Sequence, residues 1–141
     1  MCFFDADDLV APYCFDQRVR FMDDHPELEN ASFPLMAFRD DIHEECGPVF
    51  GVKTFEDDLE AMLNHNVPFN SGTDIYRREC LIARNVRWDE NIKSKQDVDF
   101  NIQMLLSGMV HAFADGKADY FYRVGRAGVA KSIASKKSFD S

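Results

Sequence analysis

Three carboxylates fall within four positions near the start of the chain, in Asp5-Ala6-Asp7-Asp8, directly after the apolar run Cys2-Phe3-Phe4. The run reads as a buried strand too short to show a period. Negative charge gathered at the mouth of a buried strand repels itself. A divalent cation relieves that repulsion, because Mg²⁺ or Mn²⁺ takes hard oxygen ligands. Such a metal binds through one or two carboxylates and completes its shell with substrate phosphate oxygens. The chemistry on offer is therefore metal-assisted work on a phosphate or diphosphate. The structural alternative is a polar turn that caps the next helix.

The elements around these residues read as an α/β chain. Pro12 suits the first turn of a helix, and Pro26 ends it. Phe15, Val19 and Met22 recur at spacings of four and three as its apolar face, with Arg18, Arg20, Asp23 and Asp24 mostly opposite. Residues 31–38 read as one strand, in which Pro34 demands an edge or a bulge. Residues 39–45 read as a surface turn, and Gly47, Pro48 and Gly51 make the next segment irregular. Thr54 is placed to cap a helix whose core residues are Phe55, Leu59, Met62 and Leu63. Glu56, Asp57, Asp58 and Glu60 form its solvated face, favourably near the helix N-terminus. Gly72 permits a close backbone approach or a positive φ. A short helix over 79–84 and a turn over 86–90 follow. Residues 94–107 read as a helix stopped by Gly108, with Val98, Ile102 and Leu105 on one face. Asp97 and Asp99 lie in its first turn, where the helix dipole alone accounts for them. Met109–Phe113, the turn Asp115-Gly116 and Ala118–Tyr122 read as a C-terminal hairpin.

The stretch from Phe3 to Pro12, the helix after it and the turn Asp24-His25-Pro26-Glu27 closely resemble the metal-binding DxD segment of family 2 glycosyltransferases of the GT-A fold. Ser71-Gly72-x-x-x-Tyr76-Arg77-Arg78 resembles that family's segment beside donor sugar and acceptor. Val86-Arg87-Trp88-Asp89-Glu90 resembles its Phe-Asp-Glu turn. Gln96-Asp97-x-Asp99-Phe100, with Gly108 beyond, is similar to its Glu-Asp pair, and Tyr122-Arg123 to the Tyr-Arg that leads into a flexible loop. The resemblance covers nearly the whole chain but only the acceptor-side half of the family's domain. The family's nucleotide-binding strands precede the DxD loop, and here Met1 stands four residues before Asp5.

The resemblance implies a truncated, Rossmann-like GT-A half-domain over 1–124, a mixed sheet with flanking helices and the hairpin. A flexible basic tail follows over 125–141: its Arg126, Lys131, Lys136 and Lys137 belong either to a solvated, partly frayed terminus or to a lid placing positive charge over the diphosphate. It implies a metal-dependent inverting transfer of a sugar from a nucleotide-diphosphate sugar to an acceptor hydroxyl. Asp7 and Asp8 would hold Mn²⁺ or Mg²⁺; Asp5, Asp7 and Gly72 would face the donor. Asp97 would be the base, since a base must reach the acceptor hydroxyl. Gln96, Trp88, Glu90 and Arg77 would meet the acceptor, with Arg78 a further candidate. Gln96 departs from the family's usual Glu: an amide orients an acceptor but carries no charge. His111 is either a core residue or the late metal-ligating His of some GT-A enzymes. The expected partners are the donor, an acceptor of unread identity, and a second copy or complementary N-terminal chain covering the open sheet edge. The rival reading is a non-catalytic binding or assembly module, or an inactive remnant, that keeps the half-fold. A phosphohydrolase on the Asp cluster is weaker, because His25, His43, His65 and His111 are scattered.

Composition sets the outer limits. At 141 residues and 45% hydrophobic content with 13 Phe, one domain with a real core is expected. A net charge of −9 argues against a general nucleic-acid or anionic-membrane surface. Cys2, Cys14, Cys46 and Cys80 are widely spaced, signalling neither zinc nor a disulfide framework. With no signal peptide and no spanning apolar run, a reduced cytoplasmic protein is the simpler expectation.

Overall fold

A computed structural model describes residues 1–124, with only the backbone at 45–49. The basic tail and its proposed lid lie outside the described residues. The chain is mixed α/β. In order it forms β1 (Leu9–Val10), α1 (Cys14–Asp24), β2 (Asn30–Ser32), β3 (Leu35–Phe38), β4 (Glu45–Phe50), α2 (Asp58–Leu63), β5 (Asp74–Tyr76), α3 (Arg78–Ala83), α4 (Gln96–Leu106), β6 (His111–Phe113) and β7 (Tyr120–Arg123). The strands make two small sheets, one in the order β5-β2-β6 and one in the order β1-β7-β3-β4.

The expected single strand over 31–38 is two strands in different sheets. Pro34 cannot donate to a ladder, and the chain leaves the first sheet at Phe33-Pro34 to become the centre of the second. The expected C-terminal hairpin is not formed. β6 runs parallel to β2, whereas β7 runs parallel to β3 and antiparallel to β1. The Asp115-Gly116 segment therefore links two sheets. Both β2 and β6 step across into β3 and β7, so the same change of sheet happens twice, side by side. The anticipated irregular segment after residue 45 is β4, paired to β3 with register shifts between Leu35 and Met36 and between Met36 and Phe38.

Alternation along β5 divides the core. Tyr76 enters a cluster with Met62, Leu81, Phe100 and Met104, contributed by α2, α3 and α4. Ile75, its neighbour on the other face, packs with Met22, Leu28, Ala31 and Phe33 on the α1 side. Sheet β5-β2-β6 is thus covered by α1 on one face and by the three later helices on the other. No helix among the described residues is long and apolar enough to cross a membrane.

Two helix readings change in detail. Asp57, not Thr54, caps α2, its carboxylate accepting from Glu60 N at 2.9 Å, and Leu63 is exposed. The buried face of α1 is Cys14, Arg18 and Met22, while Phe15 and Val19 are exposed. Arg18 is fully buried because Asp119 meets it with two bonds, Nε to Oδ2 at 2.9 Å and Nη2 to Oδ1 at 2.7 Å. Its remaining donors reach Gly72 O (2.9 Å) and Asp74 O (3.2 Å). Burial works against the charge on Arg18, but the Asp119 carboxylate more than offsets it, and the guanidinium is held more firmly protonated than usual.

The anticipated strand at Cys2-Phe3-Phe4 is extended chain without a regular ladder. Its one backbone pairing is at Met1, which exchanges two bonds with Tyr76 on the outer side of β5: Met1 N to Tyr76 O at 2.8 Å and Tyr76 N to Met1 O at 2.9 Å. Cys2, Cys14 and Cys80 are free thiols.

Candidate functional site

The Asp5–Asp8 loop is held from the far end of the chain. Tyr120 Oη donates to Asp8 Oδ2 at 2.5 Å and accepts from Asp5 N at 3.1 Å. Arg123 N donates to Asp8 Oδ1 at 3.0 Å, and Arg123 Nε reaches Asp7 O at 3.0 Å. The Tyr120 ring stacks on Phe4 with centroids 5.2 Å apart. Gly72 also lies against this ring. A Cβ at Gly72 would stand 2.7 Å from Tyr120 Cε1, so close approach, not positive φ, is what this glycine provides.

This packing brings together residues far apart in sequence. Asp5, Gly72, Asp97 and Val98 line one cavity of about 280 Å³, with Tyr120 and Tyr122 on its wall. A second, of about 470 Å³, is lined by Phe3, Asp5, Ser71, Trp88, Gln96 and Asp97 among others. Asp5, Ser71 and Asp97 border both, so the two form neighbouring parts of one cleft. Asp97 reaches it from the second position of α4. Just before, Lys95 adopts φ 57° and ψ 37°, a left-handed conformation costly for a side chain with a Cβ. Gln96 gives one amide hydrogen to Ile92 O at 2.7 Å. Trp88 stacks on Phe100 with centroids 4.5 Å apart and leaves a third of its surface open.

The cleft is charged with both signs: Asp5 and Asp97 line it, and so do Lys93 and Lys95. The Asp5, Asp7 and Asp97 carboxylates form no hydrogen bond or ion pair among the described residues. Burial raises the pKa of Tyr122, and the charges of Asp8, Asp7, Asp5 and Asp97 raise it further. Burial likewise raises Asp8; its bonds from Tyr120 and Arg123 oppose this, and the charges of Asp7 and Asp5 reinforce it. The donor set suits a hard cation, being carboxylate oxygen alone. Among the described residues no three His, Cys, Asp or Glu side chains are grouped closely enough to hold a metal by themselves. A cation at this loop would need substrate oxygens beside one or two of its carboxylates. Asp5 and Asp7 are open, while both oxygens of Asp8 already serve to anchor the loop.

Four expected site residues, Asp7, Asp8, Arg77 and Glu90, border neither part of the cleft, although the charges of Asp7 and Asp8 reach Tyr122 on its wall. Arg77 clamps the end of α1, donating to Leu28 O (2.6 Å), Met22 O (2.7 Å) and His25 O (3.3 Å). Glu90 is exposed on the turn before α4 and borders neither part of the cleft. His111 stacks on Phe69 and lies 2.8 Å from Ser32 Oγ, inside a buried polar network. Ser32 Oγ donates to Asp74 Oδ1 (2.5 Å), and Asn30 Nδ2 reaches Asp74 Oδ2 (3.1 Å). Asp74 is fully buried; desolvation pushes its pKa up to about 7 against the pull of Ser32, Thr73, Asn30 and Arg18. The order Asp–Ser–His puts the hydroxyl between the other two, so no base is aligned on a nucleophile by a third group.

Tyr120 is the residue that sequence reasoning missed. Its role depends on contacts made across 112 residues, and nothing local distinguishes it from Tyr122. No protein-family model and no curated protein matches the chain.

Proposed function

We propose that this chain supplies the metal- and acceptor-facing side of an inverting, GT-A-like glycosyltransferase resembling family 2. The observation that carries the reading is the convergence of Asp5, Gly72 and Asp97 on one cleft, from three segments remote in sequence. The unbonded carboxylates and the left-handed Lys95 beside Asp97 support it, since backbone strain concentrates where a side chain must be aimed. Asp7 and Asp8, two and three residues beyond Asp5 at the cleft's edge, would hold Mn²⁺ or Mg²⁺ against the donor diphosphate. When bound, the cation neutralises charge building on the departing nucleoside diphosphate. Asp97 takes the proton of the acceptor hydroxyl as its oxygen bonds to the anomeric carbon from the face opposite the leaving diphosphate. Gln96 and Trp88 orient the acceptor, one by its amide and one by its open ring.

The test is transfer or hydrolysis of UDP- and GDP-sugars with Mn²⁺, comparing Asp97→Asn with Asp99→Asn. Asp99 already accepts from Gln103 Nε2 at 2.7 Å and serves as the neighbouring control. Loss of a catalytic base costs on the order of 10²–10⁴ in rate. We expect that loss for Asp97→Asn alone; equal activity in both variants rejects the assignment.

One observation favours a second reading, a non-catalytic module keeping the half-fold: both Asp8 oxygens are engaged in holding the loop. On that reading Asp8→Asn lowers the unfolding midpoint and no nucleotide sugar binds to either protein.

A further inference from the structure

Phe3 and Trp88 line both the polar cleft and an apolar groove of about 470 Å³. Leu81, Ile82 and Val86 of α3 and its following turn line the groove, together with Met1. Ile82 is 63% exposed and Trp88 37%, a concentration of open apolar surface in one concave place. The charged residues lining it are Arg78 and Arg87, whereas the cleft across the shared wall carries Asp5 and Asp97 together with Lys93 and Lys95. A ligand lying over that wall meets carboxylates, hydroxyls, lysines and the Gln96 amide at one end and aliphatic side chains at the other.

We propose that the groove is an acceptor subsite for an alkyl chain, so that the acceptor is an amphipathic glycoside. Its sugar hydroxyl enters the Asp97 cleft and its uncharged or anionic aglycone lies along Ile82 and Val86. This rests on the transferase reading above. The arginines disfavour a cationic amphiphile, and the aliphatic lining takes a flexible chain better than it orders a second sugar. Trp88, being the single tryptophan, sits on the wall between the two subsites and reports on both.

The experiment is titration of the intact chain with methyl, butyl and hexyl β-D-glucosides below their micellar range, read by Trp88 emission. Affinity should rise with chain length, by at least about tenfold from methyl to hexyl, roughly what burying two methylenes supplies. Ile82→Asp should erase that dependence while leaving the unfolding midpoint unchanged, because the side chain is exposed. Gln96→Ala should weaken hexyl glucoside but leave hexanol unaffected. Chain-length independence, full binding by Ile82→Asp, or hexanol binding as tightly as hexyl glucoside would each overturn the proposal. So would self-association that Ile82→Asp abolishes, which makes the groove an interface between copies. A separate arm with UDP-sugar, Mn²⁺ and Asp97→Asn distinguishes the two claims. Failure there with glycoside binding retained removes the transfer reading and leaves the alkyl site.

Discussion

Asp74 and His111 share one hydroxyl, Ser32 Oγ, and burial moves their pKa values in opposite directions. Asp74 goes up to about 7, so the native state holds a proton that the unfolded chain releases near pH 4. Its contribution to stability is complete below that pH and is lost as pH rises toward 7. His111 goes down to about 4, first through desolvation and then through the charge of Lys53. Its contribution is complete above the ordinary imidazole value of 6.5 and is lost as pH falls toward 4. The two slopes oppose each other between pH 4 and 6.5. In Asp74→Asn the midpoint of urea unfolding should therefore climb from pH 4 to 6.5 relative to wild type; in His111→Gln it should fall from pH 4 to 7. Each pKa unit corresponds to about 1.4 kcal/mol, so the effects reach a few kcal/mol. Parallel pH profiles for the two variants would contradict the assignment. At this scale the sequence was legible where chemistry is local. The acidic loop stood out by residue type and neighbours, whereas Asp97 has a sufficient local reason in the helix dipole and its role as a base comes only from the resemblance. The engagement of Asp8 by Tyr120 and of Arg77 by the end of α1 could not be read, because each depends on a partner roughly 50 to 110 residues away.

Among the elements, α1 shows what amphipathic spacing can and cannot decide. Its length and its end were readable from Pro26 and the four-and-three pattern. Its buried face was not, because the pattern treats Arg as a surface residue and Asp119 makes it an interior one. Removing one partner of a buried ion pair strands the other and costs about 3–5 kcal/mol. Asp119→Ala should lose stability on that scale in urea unfolding. Arg20→Ala, which breaks the exposed pair with Asp16, should lose less than about 1 kcal/mol. Comparable losses would mean that Arg18 can relax to solvent. The strands were misread for a related reason. Ala31–Phe38 is one hydrophobic run, and only pairing partners reveal that it serves two sheets. Asp115-Gly116 has hairpin chemistry, yet β6 and β7 each follow a neighbour already committed to a different sheet. Gly72 belongs to this scale as well. Gly72→Ala drives a methyl into the Tyr120 ring, which Phe4 and Asp8 hold in place. Overpacking of this kind costs about 1–3 kcal/mol. We expect that loss together with altered amide shifts at Asp5–Asp8; unchanged shifts would show that the loop does not depend on the contact.

At the scale of the molecule, the two sheets and four helices of the described residues place a charged cleft where the start of the chain, the loop before β5 and the start of α4 meet. The cleft's residues were mostly legible as motifs. Their convergence was expected only through the resemblance, since one sequence contains no distances. The central claim is that this cleft binds a divalent cation together with a nucleoside diphosphate. The most direct measurement is paramagnetic broadening of backbone amide signals by substoichiometric Mn²⁺, with and without UDP or GDP, in the wild-type chain and in Asp7→Asn. The account predicts broadening centred on residues 5–8, 71–72 and 96–97 that strengthens with the diphosphate and disappears in Asp7→Asn. Broadening spread over the acidic surface, indifferent to the nucleotide and retained in Asp7→Asn, would contradict it.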